Sequence, residues 1–226
     1  MTKKTVLITG AGGNLGKATV TYFLNKGWRV IATVSPGKSM PGLVHNDLYV
    51  YAIDLTDEEA VADWIRVILS EFRQIHAALL LAGGYKGNTL ADTTVADLRH
   101  MFTLNVETAW NVARPVFLHM KRGNSGRIIL IGAKPAIEMD AAGYSVAYAL
   151  SKAQLIKLTE LISAEGKNSG VAGYCLVPSI IDTPDNRQAM PHADYSLWIK
   201  PEKMAEVMLR LCDEQVMVTD TIIKLY

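Results

Sequence analysis

Cysteine is scarce: the 226 residues include two, Cys175 and Cys212, both inside apolar runs and without a CxxC spacing. That excludes a disulfide framework and a cysteine-based zinc site, and it points to a reducing compartment. The five histidines, at 45, 76, 100, 119 and 192, show no HExxH or other ligand spacing, so no metal is expected. An excess of one charge is missing too. Lys+Arg 23 against Asp+Glu 22 leaves a net charge of +1, without a basic stripe, which argues against nucleic acid as a partner. No stretch approaches the roughly 18 apolar residues of a membrane helix, so no membrane partner is expected. Lys3 and Lys4 do precede Val6-Leu7-Ile8, but glycines interrupt that run at once. It reads as a buried strand rather than a signal segment, and a cytoplasmic location follows.

What is present is an alternation. Short β-branched runs at Val6–Thr9, Val30–Val34, Val50–Ile53, Ala77–Ala82, Arg127–Ile131, Ala172–Val177 and Thr221–Leu225 are separated by amphipathic segments near 14–26, 57–73, 95–121, 146–166 and 202–213. Near-continuous apolar strands alternating with helices predict an α/β fold. The expected architecture is a single-domain, Rossmann-like, doubly wound parallel sheet of about seven strands, with right-handed crossovers and helices on both faces. With 50% hydrophobic and 20% charged residues and no linker, one domain over 1–226 is expected. Ser35–Asn46 is too short and too rich in Pro and Gly for a crossover helix. The irregular stretch from Pro178 to about Pro201 is long enough to suggest a functional lid, about 184–200.

After the first strand comes Thr9-Gly10-Ala11-Gly12-Gly13-Asn14-Leu15-Gly16, then a helix. Glycines at such a turn allow a sharp bend, close backbone approach to a pyrophosphate and tight helix–strand packing, while the helix start offers free N–H groups. A nucleotide cofactor is expected here, with Asn14 suited to positive φ. Asp54, ending the third strand before Leu55, can accept a hydrogen bond from an adenine amino group. The alternative is a helix cap, a task that also suits Thr56 and Asp57. Tyr148 and Lys152 stand four apart in a helical segment and so share one face. An ammonium about 4 Å from a phenol is worth at most about 4 kcal/mol, or about three pKa units, enough to bring a tyrosine toward neutrality for proton transfer. A chain with 9 tyrosines also yields a YxxxK by chance.

The turn, Leu81-Ala82-Gly83-Gly84 after strand four, Asn105 in Leu104-Asn105-Val106, and YxxxK after strand five occur in an order that resembles the short-chain dehydrogenase/reductase family. The likeness spans nearly the whole chain. In its second half the chain resembles the quinonoid dihydropteridine reductase branch. The matching pieces are Ala82-Gly83-Gly84-Tyr85, Gly132-Ala133-Lys134, Gly166–Gly170, Asp182-Thr183-Pro184, Asn186-Arg187, Met190-Pro191 and Ala193–Trp198. The resemblance implies an NAD(P)H-dependent oxidoreductase that passes hydride from nicotinamide to a small-molecule substrate. Tyr148 would donate the proton, Lys152 would lower its pKa and bind the nicotinamide ribose, and Asn105 would anchor a relay water. The implied cofactor site comprises Gly10, Gly13, Asn14, Leu15, Gly16, Asp54, Leu55, Ala82, Gly83, Gly84, Tyr148, Lys152, Pro178, Ile181 and Thr183. Family members pair the helices of 95–121 and 146–166 across an interface, so a homo-dimer or homo-tetramer is implied.

The chain also departs from that pattern. Ala133 stands where most members carry a substrate-orienting Ser, a feature shared with the dihydropteridine branch. Asn105 is typical of the wider family rather than of that branch. No acid closes the second strand: Val34-Ser35-Pro36 stands where an NAD-preferring enzyme presents Asp, and Ser35 and Lys38 could instead receive a 2′-phosphate, which favours NADP(H) over NAD(H) unless the two merely form a solvated turn. Tyr85, Tyr144, His192 and Trp198 are candidates either to line the substrate pocket or to pack beneath the long loop. Other readings are a carbonyl or imine reductase for another substrate, and a low-turnover dinucleotide-binding sensor.

Overall fold

The computed structural model describes residues 3–138, 143–213 and 220–226. Seven strands, β1 (Thr5–Thr9), β2 (Arg29–Val34), β3 (Leu48–Ala52), β4 (Ala77–Leu80), β5 (Gly126–Ile131), β6 (Val171–Pro178) and β7 (Ile222–Leu225), form one sheet in the order β3-β2-β1-β4-β5-β6-β7. Every neighbouring pair is parallel. The apolar runs are continuous because both faces are covered. Leu7, Ile31, Ala78, Leu80, Ile128 and Leu130 point to one side, against α2 (Glu58–Phe72), α4 (Thr108–Gly123) and α5 (Val146–Gly166). Val6, Ile8, Val30, Leu79, Ile129 and Leu176 point to the other, against α1 (Asn14–Asn25) and α7 (Pro201–Leu211). Helix α2 shows the logic locally. Asp57 accepts the Ala60 N–H as its cap, Glu58 and Glu59 sit at the positive end, and Val61, Trp64, Ile65, Ile68 and Phe72 form the buried stripe.

Two expectations are corrected. The pattern over 95–121 is not one helix but α3 (Val95–Phe102), a π-turn at Thr103–Glu107, and α4. The wider turn carries Asn105 to a completely buried position, where its amide is fully bonded. Nor is 178–201 uniformly irregular. Pro184, set just after the Thr183 cap, starts a short helix α6 (Pro184–Ala189), a 3₁₀ turn follows at Tyr195–Leu197, and an Ile181–Ile199 bridge closes the excursion. Smaller shifts occur at strand ends: β4 stops at Leu80, before Ala82, and β3 starts at Leu48. Among the described residues, no helix is long and apolar enough to cross a membrane.

Candidate active site

The parallel sheet brings the loops after β1, β2, β3, β4 and β5 to one edge. Gly10, at φ 66°, makes the reversal after β1, and a side chain there would approach the Ala82 backbone nitrogen to 2.8 Å. The turn is then closed by Gly13 N–H donating to Gly10 O (3.1 Å), while Ala11 N–H donates to Thr33 O (2.9 Å). At Gly16 a methyl group would run into the Gly10 carbonyl and the Ala11 backbone, so this glycine lets α1 lie directly on the turn. Gly13 caps α1 without a side-chain hydrogen bond, leaving the first N–H groups of the helix with no side-chain acceptor from the cap. Asn14 does not adopt positive φ. It is the first residue of α1, and its Nδ2 donates to Asp185 Oδ2 of α6 at 2.8 Å.

From this turn a cleft of about 880 Å³ runs along the sheet edge. Of the residues expected to hold a cofactor, Gly10, Gly13, Ser35, Lys38, Asp54, Leu55, Ala82 and Gly83 line it. Asn14, Leu15, Gly16, Gly84, Tyr148, Lys152, Pro178, Ile181 and Thr183 do not. Ser35 and Lys38 face each other across a turn, with Lys38 N–H donating to Ser35 O (3.0 Å). Sequence reading missed Lys17, one turn into α1, which lines the same cleft. Asp54 is not a helix cap, since Asp57 takes that role. Its Oδ1 accepts the Thr56 N–H (2.9 Å) and hydroxyl (2.7 Å), and these bonds hold its carboxyl below the usual range.

The Gly83 end of the cleft leads to Lys152. A Cβ on Gly83 would sit 2.5 Å from Asn105 Oδ1 and 3.7 Å from Lys152 Nζ, so only a bare backbone leaves that end open. Asn105 braces the β4 loop: its Oδ1 accepts the Gly84 N–H (2.8 Å), and its Nδ2 donates to Gly84 O (3.2 Å) and Ser151 Oγ (2.9 Å). Its side chain is thereby spent on the protein. Lys152 is buried, donates to Ile131 O at 2.9 Å, and has its pKa brought down to about 8 by burial.

The expected acidification of Tyr148 is not found here. Its phenol is pushed up to about 12, first by burial and then by the neighbouring Tyr85. The physical reason is orientation: Lys152 Nζ lies 5.7 Å from the Tyr148 ring centroid while bonded to a backbone carbonyl. Tyr85 packs edge-on against Tyr148 with centroids 5.0 Å apart and is otherwise exposed, as is Tyr144. Ala133 is buried at the start of a 3₁₀ turn. Thr183 Oγ accepts the Asn186 N–H (3.2 Å), and Trp198 is buried against Tyr195. Trp198 and Thr183 therefore organise the segment from Pro178 to Pro201, which an Asp182–Arg187 ion pair (2.6 Å) also ties together. Among the described residues no cluster of His, Cys, Asp and Glu could hold a metal.

A family profile described as short chain dehydrogenase matches residues 4–194. The chain belongs to the short-chain dehydrogenase family. As a member it is an oxidoreductase of the NAD(P)H-dependent kind. It is 26% identical over 206 residues to a dihydropteridine reductase of Dictyostelium discoideum, covering 90% of this chain and 85% of the relative. It is 25% identical over 239 residues to a 3-oxoacyl-[acyl-carrier-protein] reductase of Thermotoga maritima, covering 97% and 95%. Among solved structures, ElxO with NADP bound superposes with a TM-score of 0.90 at 23% identity, over 99% of this short-chain dehydrogenase and 97% of ElxO. That likeness is one of fold.

Proposed function

We propose that the protein is an NADPH-preferring reductase that delivers hydride and a proton to a small conjugated imine or carbonyl compound of the dihydropteridine type. The observation that carries this reading is the meeting of the glycine-lined cleft, at Gly83, with the buried Lys152 ammonium one helical turn from Tyr148. The residues present fit a dinucleotide: a cradle that side chains at Gly10, Gly16 and Gly83 would fill, an α1 start without a side-chain cap, and an elongated cleft. Gly10, Gly13 and the first turn of α1 would hold the pyrophosphate, Asp54 the adenine, and Lys17, Ser35 and Lys38 the ribose phosphate end. Bound NADPH supplies the hydride.

The chain's own residues supply the proton. A phenol near 12 remains protonated at neutral pH and is therefore in the donor state. Lys152, on the same helix face, would bind the nicotinamide ribose, and it would offset the negative charge left on Tyr148 on swinging from the Ile131 carbonyl toward the phenol. Asn105 keeps the β4 loop in place beneath both. Ala133, lacking a hydroxyl, favours a ring imine over a simple ketone, because no side-chain donor stands there to polarise a carbonyl. The exposed Trp110, Leu118 and Leu161 on α4 and α5 suit pairing of two copies, so the working unit is read as a homo-dimer or homo-tetramer.

The decisive experiment is an NADPH oxidation assay with quinonoid dihydropterin beside a panel of small ketones and 3-oxoacyl thioesters, run with wild type and Tyr148→Phe. Turnover of the dihydropterin, lowered by about 100-fold or more in Tyr148→Phe with nucleotide binding retained, is the expected result. Turnover of ketones alone would reject the substrate class, and full activity in Tyr148→Phe would reject the proton donor.

A further inference from the structure

The segment after β4 carries Tyr85 over Tyr148, and it is fixed by more than its ends require. At its start, Asn105 grips both backbone groups of Gly84. Further on, the carbonyl of Asn88 accepts the N–H of Val146 (3.2 Å), in the first turn of α5 and two residues before Tyr148. Between these points stands Asp97 of α3, a carboxylate that is 7% exposed. It closes a reciprocal capping box with Thr94, whose N–H and hydroxyl donate to its Oδ2 at 2.9 and 2.8 Å.

A capping box needs nothing else, yet Asp97 takes two additional partners. Lys86 Nζ makes an ion pair with Oδ1, and Asn88 Nδ2 donates to Oδ2 at 3.3 Å. These two residues flank Gly87, where an added Cβ would lie 2.7 Å from the Tyr85 hydroxyl and 3.1 Å from the Tyr144 carbonyl. The backbone between the two anchors therefore folds over the Tyr85 ring. With Lys86 beside it and the Thr94 bonds, the Asp97 carboxyl is held well below the usual carboxylate range.

We propose that Asp97 is a positioning residue: through Lys86 and Asn88 it holds the segment after β4 so that the Tyr85 ring stays edge-on against Tyr148 and forms a fixed wall of the substrate site. The clamp is a geometric statement about Tyr85 and Tyr148; its effect on substrate rests on the proton-donor reading above. Asp97→Asn keeps an acceptor for the cap and removes the ion pair. In protein carrying 13C-labelled tyrosine, the Tyr148 ring signal, assigned by its loss in Tyr148→Phe, should shift in Tyr85→Leu. It should shift the same way in Asp97→Asn and in Lys86→Gln, and no further in the double variant. Thr94→Ala, which removes the hydroxyl bond to Asp97 but leaves the Lys86 and Asn88 contacts, should lower Tm and leave that signal in place. With quinonoid dihydropterin as substrate, Asp97→Asn should raise KM about tenfold with kcat and NADPH Kd little changed.

A Tyr148 signal that moves in Tyr85→Leu but not in Asp97→Asn overturns the clamp. So does one that moves equally in Thr94→Ala. These readouts need neither turnover nor nucleotide. Failure of the dihydropterin assay with the signal pattern intact would sink the functional reading and leave the clamp standing.

Discussion

At the Ser35–Lys38 end, the cleft is made of backbone turns and solvent-facing cations; at Gly83 it meets the buried Asn105, Ser151 and Lys152, with the half-buried Tyr148 beside them. On the proposed reading, the first end would recognise by shape and charge, using glycines that let a ligand approach the main chain. The second would control protonation, using burial that moves the Lys152 pKa down to about 8 and the Tyr148 pKa up to about 12. Substitutions at the open end should therefore change affinity or folding, and those at the buried end should change pH behaviour and turnover.

The strongest way to break this contrast is Gly16→Val. Its side chain meets the Gly10 carbonyl and Ala11 backbone, which cannot give way without lifting α1 off the turn. Overpacking of this kind costs about 1–3 kcal/mol, so Tm should drop by about 2–12 °C with nucleotide binding lost. An unchanged melting curve would show that the packing at this turn is loose. A weaker effect is expected from removing Lys17 and Lys38 together, because exposed cations contribute modestly even to a phosphate. NADPH Kd should rise about tenfold while NADH Kd stays within about twofold. Equal losses for both nucleotides would assign the lysines to the pyrophosphate instead.

The smallest effect sharpens the buried end. Lys152 has a folded pKa depressed to about 8, so between about 8 and 10.5 the unfolded chain holds a proton that the folded chain has released. Stability then rises with pH from Lys152 in that window, and the penalty is fully present below about 8. Denaturant unfolding at pH 8 and 9 should show this rise, by at most about 1 kcal/mol per pH unit, and Lys152→Met should lack it. Identical slopes in the two proteins would mean that Lys152 is solvated.

Much of this was legible beforehand, for different reasons at the two ends. The glycine turn could be read because only glycine fits a left-handed bend and a helix pressed onto it; Gly10 and Gly16 carry that constraint in their identity. Tyr148 and Lys152 could be placed on one helix face because a spacing of four is a helical turn. Their electrostatics could not, since the direction in which Lys152 points depends on the Ile131 carbonyl supplied by β5. Asn105 was visible as a residue but not as a brace: its burial depends on a π-turn that the apolar periodicity of 95–121 does not reveal. Lys17 was passed over because its relevance appears once α1 and the β2 turn border the same cleft.

The chain by itself determined the parallel α/β architecture, because apolar runs covered on both faces and amphipathic crossovers have few other ways to bury themselves. It also determined where the glycine turn before α1 would lie. Tertiary structure alone decided which groups meet: the brace from Asn105 to Gly84, the hold of Asp97 on the segment bearing Tyr85, and the burial that sets both pKa values. Those depend on distances between residues remote in sequence, and a distance across a sheet edge is a property of packing, not of spacing along the chain.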